Sequence, residues 1–452
     1  MIVQQLESEV RGEVLRPGQD GYDEARRVFN GMVDRRPALI LRCTADEDVV
    51  AGVGFARQNG LVVAVKGGGH NVAGNAVCDG GLVIDLSRMR EVRVDPRRRR
   101  AICQGGATWG DFDRATQAHG LATPGGIISS TGVAGLTLGG GIGTLRGLYG
   151  LTCDNMVAAT VVTADGRVVR AGEGGDADLL WGLRGGGGNF GVVTAFEFDV
   201  HPLGPVVAGP LEVPQSLGVR FLDFYRSFLE GVPDAFSSDL IFRVAPTGEP
   251  TFLLLTFYAG PVEEAARILA PLRERFQPAD AVAQRSYVES QCMYDAGSPW
   301  GQRNHWKSNG MAELGDGAIE TLLERFREIP SRYCLIGMEY LHGRIHRTEP
   351  NADAASFKRA KFDLLIESKW LDAADDDANV SWTRDTWAAM QPHVSGAAYT
   401  NYLGAEPQPR VRAAYGERTY RRLVALKDRY DAENFFRMNQ NIRPSQEVGD
   451  DR

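Results

Sequence analysis

Residues 65–75 read VKGGGHNVAGN: Lys66, three consecutive glycines (Gly67, Gly68, Gly69), His70, Asn71 and, after two more residues, Gly74. The run directly follows the strand-like LVVAV. Three glycines in a row give up side chains and backbone stiffness together, which lets a large group approach the main chain closely. Successive backbone N–H groups in such tight turns form a concave nest for phosphate oxygens. The imidazole that ends the run titrates near neutrality and is a nucleophile when neutral. This is the chemistry of a phosphate-bearing ligand held against backbone, with one histidine in reach.

Two further glycine clusters occupy 125–150 and 185–191. Gly186, Gly188 and Gly191 spell GxGxxG, but that fingerprint needs a strand before it and a helix after it. Here the strand-like VVTAFEFDV follows, so a Rossmann site is not expected. The P-loop spelling is absent, and nothing points to ATP hydrolysis. Several strand–glycine loop–strand units side by side would still hold a dinucleotide pyrophosphate without a helix dipole. His342 and His346 are spaced as two ligands on one helix face, but GMEYLHGRIHR reads as strand, where residues four apart lie roughly 13 Å from each other. No metal site is expected.

The elements that position these groups can be read from the pattern. The 452 residues suggest two or three domains. PALILRC is a strand, Thr44–Glu47 a capping box opening a helix that closes on Gly60, and LVVAV the strand into the glycine loop. Short strands follow (GLVIDLS, EVRVD, AICQ), then a helix capped by Thr108 and Asp111, then a strand pair joined by Asp165-Gly166. Beyond residue 204 glycine thins out. Long strands such as TFLLLTFYAG alternate with amphipathic helices such as GAIETLLERFREI, the pattern of an antiparallel sheet with helices on one face. The expected organisation is a first domain over 1–203, a second over 204–404, and a segment over 405–452 that returns to the first. No internal repeats are found.

Composition narrows the partners. A net charge of −8 disfavours nucleic acid, and the basic run Arg97–Arg100 reads as a solvated hairpin tip. No window approaches the roughly 18 apolar residues a membrane span needs. The first residues, with early acidic side chains, do not read as a signal peptide. Six scattered cysteines without CxxC pairs suggest free thiols in a reducing, cytoplasmic setting. The expectation is a monomer or homodimer with no membrane and no nucleic-acid partner.

Long stretches now carry a resemblance. PALILRCTADEDVVAGVGFARQNGLVVAVKGGGHN, GATWGDFDRATQAHGLATPGGIISSTGVAGLTLGGGIGTLRGLYGLTCDN, DLLWGLRGGGGNFGVVTAFEF and YDAENFFRMNQNIRP are together similar to the vanillyl-alcohol oxidase superfamily, in its berberine bridge enzyme-like branch. The resemblance implies an α+β protein: a PCMH-type FAD-binding domain of two small α/β subdomains, and a substrate domain whose antiparallel sheet is covered by helices. It implies that the loop after LVVAV wraps the FAD pyrophosphate and that His70 bonds covalently to the 8α-methyl carbon. The positions matching the family's FAD contacts are Lys66, Gly67, Gly68, Gly69, Asn71, Gly74, Ser130, Thr131, Gly132, Gly135, Gly140, Gly141, Gly143, Val192, Asn439 and Asn441. Many members add a second bond from a cysteine at a position matching Ile128, Ser129 or Ser130. No cysteine stands there, so one link through His70 is implied.

Flavin carries the redox step, leaving the protein to position a small-molecule substrate and remove a proton. By resemblance to the family's YxNY motif, Tyr402 is the first choice of base, with Lys307 as the cation that a phenol near pKa ~10 would need. Glu339 lies on a strand that would face the ring. His305, Trp306, Tyr340 and Asn401 are candidate substrate contacts, although His305 stands where the family often has an aromatic residue. The implied activity is oxidation of a small or aromatic molecule, with the flavin reoxidised by O2 to give H2O2. The alternatives are a dehydrogenase using another acceptor, or a flavin-binding protein without turnover. The retained YxNY and WKS stretches argue against the last.

Overall fold

The structure, a computed structural model, describes residues 2–349 and 351–449. Met1, Pro350 and residues 450–452, the outermost ends of the expected first and last segments among them, lie outside the described residues.

Three large sheets carry the chain, and Leu121–Ala122 with His201–Pro202 form a small fourth. The first has four strands in the order Glu13–Leu15, Leu39–Arg42, Leu82–Asp85, Val63–Lys66. Its last three run parallel, which requires the crossover helix Asp46–Gln58. That helix begins differently from the capping box read at Thr44 and Glu47. Its N-cap is Ala45, with no side-chain cap. The amide and hydroxyl of Thr44 donate instead to Oδ2 of Asp48, at 2.8 and 2.9 Å, while Oδ1 of Asp48 accepts the Arg11 amide at 2.7 Å. One buried carboxylate thus ties two chain segments to the helix start.

The second sheet is antiparallel, in the order Val92–Asp95, Arg100–Gln104, Val192–Asp199, Met156–Val162, Val168–Gly172. Arg97–Arg99 form the exposed hairpin tip, whereas Arg100 belongs to the strand and donates to Glu173 at 2.9 Å. Helix Trp109–Gln117 starts with the expected reciprocal box: Thr108 N–H to Asp111 at 3.0 Å, and Asp111 N–H to Thr108 at 3.3 Å. Trp109 and Phe112 pack on Phe198.

The third sheet has eight strands, all antiparallel, built around Val206–Pro214, Pro250–Tyr258, Phe236–Val244, Leu335–Tyr340, Phe362–Trp370 and Arg303–Met311 in that order. Alternation divides each strand between two faces. Leu240, Phe252, Ile336 and Leu364 meet the helices Gly218–Leu229, Val262–Phe276, Asp316–Phe326 and Asp376–Met390 in one core. Asp239, Leu253, Glu339 and Leu365 point the other way, into a cavity. A strand buried on both sides reads as a continuous apolar run, which is what TFLLLTFY is. The strand through Glu339 ends at Tyr340. His342 and His346 fall in the following turn and 3₁₀ segment, so GMEYLHGRIHR is not one strand.

After residue 404 the chain packs back on the first two sheets. Tyr420, Leu423 and Leu426 of helix Glu417–Tyr430 join the core of the second sheet, and Phe436 that of the first. Buried Lys427 locks this return, donating to Asp431 at 2.7 Å and to the carbonyls of Asn189 and Phe436 at 2.9 Å each. Among the described residues no helix is long and apolar enough to cross a membrane. The six cysteines are free, five of them buried.

Candidate active site

The strand Val63–Lys66 delivers the glycine run to the wall of a cavity of about 820 Å³. Gly68 meets Gly132 back to back. A Cβ on Gly68 would lie 2.3 Å from the Gly132 nitrogen, and one on Gly132 would lie 2.4 Å from the Gly68 nitrogen. Only two glycines allow this approach. It joins the 67–70 loop to the 131–135 segment as one continuous wall.

The cavity bears the marks of a dinucleotide cofactor. Gly135 and Gly188 line it, yet a Cβ on either meets no atom of the described residues within 4 Å. These glycines clear space for something other than protein. Asn439 also lines the cavity, with its Oδ1 buried and unpartnered among the described residues. Its amide nitrogen is held by the carbonyls of Gly188 and Phe436, at 3.3 and 3.0 Å. Val63, Val65, Leu86 and Val193 make a separate apolar stretch of wall. Backbone-walled at the glycine loop and apolar along this second stretch, the cavity fits FAD.

His70 opens on this cavity with its ring fixed on three sides. Phe29 stacks on it at 4.5 Å and 17°, and Trp300 meets it edge-on at 5.6 Å. Nε2 lies 2.9 Å from Oγ of Ser130. Burial lowers the imidazole pKa to about 4, so the ring is neutral at physiological pH. The adjacent Ser129 donates to Asp295 at 2.6 Å, tying the glycine segment to the loop before Arg303–Met311.

Across the cavity, register brings three carboxyl groups together. Asp239 pairs with Glu339, and Glu339 with Asp363, on three neighbouring strands. Asp239 is ion-paired to buried Arg146, which also donates to the Tyr340 carbonyl at 2.8 Å. Oε1 of Glu339 accepts the Tyr402 hydroxyl at 3.0 Å, and its Oε2 is buried without a partner among the described residues. Burial, reinforced by Asp239, pushes the Glu339 carboxyl up to about 8. Burial and the neighbouring Glu339 push the Tyr402 phenol well above its ordinary value.

This corrects the pairing of Tyr402 with Lys307. Lys307 donates to Glu406 at 2.6 Å and sits over the Trp387 ring at 5.3 Å, on the helix side of the sheet. Trp306 and Lys307 are consecutive in a strand and so point to opposite faces; Trp306 has the cavity. The same rule separates Glu339 from Tyr340, which packs in the helix-covered core and stacks on His342 at 4.6 Å. His305 likewise does not line the cavity, and its Nε2 is buried without a partner among the described residues.

The other sequence candidates divide in the same way. Gly67, Gly69, Asn71, Thr131 and Asn401 line the cavity. Lys66 does not: it donates to the carbonyls of Ala25 and Arg27, at 2.7 and 2.9 Å, bracing the loop from behind. Gly74 packs on Val33, and Gly143 on the backbone of Gly125. Gly140 and Gly141 lie against Phe357 and Thr152, while their neighbours Gly139 and Ile142 face the cavity. Val192 is core; Gly191 and Val193 line the cavity instead. Asn441 stands away from it, and Gln440 takes its place, anchored to the carbonyls of Leu403 and Gly404 at 3.0 and 2.9 Å.

Sequence reasoning missed several lining residues. Tyr399 accepts from the Asn401 amide at 2.8 Å, and Glu367 and Lys369 form a buried ion pair at 3.1 Å. Asp239 and Tyr294 also line the cavity. The two-residue period of FSSDLIFRV and FDLLIESKW held the signal for Asp239, Glu367 and Lys369, because polar residues recur there on one face.

Comparison with known proteins agrees with this geometry. A family model described as "FAD binding domain" matches residues 37–172, and one described as "Berberine and berberine like" matches 398–443. The chain is 31% identical to an (R)-6-hydroxynicotine oxidase of Paenarthrobacter nicotinovorans, over 96% of this chain and 97% of that one. It is 29% identical to an FAD-linked oxidoreductase of Dictyostelium discoideum, over 98% and 97%. The crystal structure of 6-hydroxy-D-nicotine oxidase from Arthrobacter nicotinovorans superposes with a TM-score of 0.90, at 30% identity, covering 96% and 98%.

Proposed function

The chain belongs to the berberine-like family of FAD-dependent oxidoreductases, and from that premise we propose an oxidase that removes a hydride and a proton from a small organic molecule, with FAD held by one covalent link through His70. Bound FAD would supply the two-electron acceptor, with O2 as the terminal oxidant giving H2O2.

The chain's own residues divide the remaining work. The glycine run, Thr131 and Asn439 would hold the cofactor. Glu339 takes the substrate proton. Tyr402 donates to one of its oxygens, and the other has no partner among the described residues. A carboxyl with a pKa near 8 is poised for this step at neutral pH, whereas the raised phenol of Tyr402 is a donor and not a base. Ile241, Leu253, Leu255 and Leu365 make an apolar wall that keeps water from the reacting carbon. Kinship with an (R)-6-hydroxynicotine oxidase favours a small aromatic substrate over an oligosaccharide. Free cysteines suit a reducing, cytoplasmic setting.

One observation carries this reading: His70 and the Glu339–Tyr402 pair, brought from distant parts of the chain, open on the same cavity. The test is acid precipitation of the purified protein with peptide mapping, together with a peroxide assay over a panel of small aromatic amines and alcohols. Flavin on the His70 peptide and peroxide in step with substrate loss are expected. Flavin in the supernatant would remove the covalent link; turnover without peroxide would make the protein a dehydrogenase.

A further inference from the structure

A second cavity, of about 440 Å³, lies behind the glycine wall. It shares Gly67 and Gly68 with the cofactor cavity, and its other walls include Ser130, Trp300, Arg90 and Arg114. Ser130 is exposed there, while its Oγ reaches Nε2 of His70 at 2.9 Å. One hydroxyl therefore touches the imidazole on one side and opens toward solvent on the other. Phe29 and Trp300 prevent the ring from turning away from it.

We propose that Ser130 accepts the Nε2 proton of His70 during covalent attachment of the flavin and passes it into the second cavity, so that Nδ1 is the nitrogen that bonds. The inference rests on the covalent link proposed above. The atoms balance. A C–N bond forms between Nδ1 and the methyl carbon, one proton leaves that carbon, and one leaves Nε2. The two electrons released are taken up by the isoalloxazine and then by O2, which with two protons gives H2O2.

The electrostatics suit the transfer. Burial keeps the imidazole neutral, so one nitrogen always has a free lone pair. The 2.9 Å contact allows Nε2–H to donate to Ser130, and in that tautomer the free lone pair is on Nδ1. Asp295, which accepts from Ser129, is the acidic group acting on His70 and favours the positive charge that builds as the bond forms. Arg90 and Arg114, farther out in the second cavity, are both bound to Asp111, at 2.7 and 3.1 Å, which moderates their opposition to an arriving proton. Ser130 thus separates the exit of this proton from the cavity where substrate binds.

The test follows acid-stable flavin in wild type, Ser130→Ala and Ser130→Thr during incubation with added FAD in air, across a pH series. Covalent incorporation is expected to slow by about tenfold in Ser130→Ala, the factor one neutral hydrogen bond is worth. FAD should still bind non-covalently, and Ser130→Thr should restore the rate and its pH dependence. Equal rates in wild type and Ser130→Ala would overturn the inference. If Ser130→Ala does not fold, NMR of the wild-type flavin peptide decides: substitution at Nδ1 is expected, and substitution at Nε2 overturns it. Acid-releasable flavin in wild type would instead mean that the covalent link itself is absent, a distinct failure.

Discussion

The Tyr402 hydroxyl donates to Oε1 of Glu339 across 3.0 Å, joining the 3₁₀ segment Thr400–Tyr402 to the strand Leu335–Tyr340 of the eight-stranded sheet. In the mechanism proposed above, Glu339 and not Tyr402 is the base of this pair. With its second oxygen unpartnered among the described residues and its pKa raised to about 8, Glu339 is half-ionised near pH 8. As base it must be ionised, so kcat/KM should rise with pH and level off above about 8. Glu339→Gln should abolish this limb and lower kcat/KM by about 10²–10⁴-fold. Tyr402→Phe should keep the limb, moved to a different pH by loss of the hydrogen bond. Stopped-flow flavin reduction over a pH series reads both.

The same raised pKa has a consequence for stability. A carboxyl whose folded-state pKa lies above its unfolded value stabilises the fold below the unfolded value, and that contribution is lost as pH rises through the folded one. Wild type should therefore lose melting temperature between about pH 4.5 and 8 relative to Glu339→Gln, whose amide does not titrate. Parallel melting curves would show that Glu339 is not raised.

Gly68 and Gly132 should be intolerant of any side chain. Gly68→Ala brings a Cβ to 2.3 Å from backbone that cannot rotate away. The expected cost is at least about 1–3 kcal/mol, the range for overpacked sites. It should appear in denaturant unfolding together with loss of yellow colour.

Gly135 and Gly188 should behave in the opposite way. A side chain there meets only the cavity. Gly188→Leu should leave the unfolding of flavin-free protein close to wild type while FAD retention falls by tenfold or more. If the leucine variant retains full flavin, the cavity wall near Gly188 is not a cofactor contact.

Lys427→Met tests the return of the tail. It leaves Asp431 buried without its cation, beside two carbonyls that have lost their donor. Breaking such a pair costs about 3–5 kcal/mol. Chemical denaturation should reveal that loss. A variant as stable as wild type would mean that the tail is held by its apolar contacts alone.

The glycine loop and its histidine were legible in sequence because a close backbone approach demands contiguous glycines, and a contiguous signal needs no fold to be read. The face a residue occupies was not. Lys307 beside Trp306, Tyr340 beside Glu339 and Val192 beside Val193 each differ by one position, and in a strand one position is the other side of the sheet. The row Asp239–Glu339–Asp363 is assembled from strands up to 124 positions apart and exists only through register. Thr44 misled because Asp48, one residue beyond the expected partner, also reaches back to meet its hydroxyl.

The sheet that separates helices from cavity records two independent texts on alternate letters. Leu240, Phe252, Ile336 and Leu364 answer to the helix layer, while Ile241, Leu253, Gly337 and Leu365 answer to whatever enters the cavity. Selection can rewrite the second text without editing the first. A scaffold so arranged can change its diet while keeping its skeleton, and a library restricted to cavity-facing positions would explore new substrates at little risk to folding.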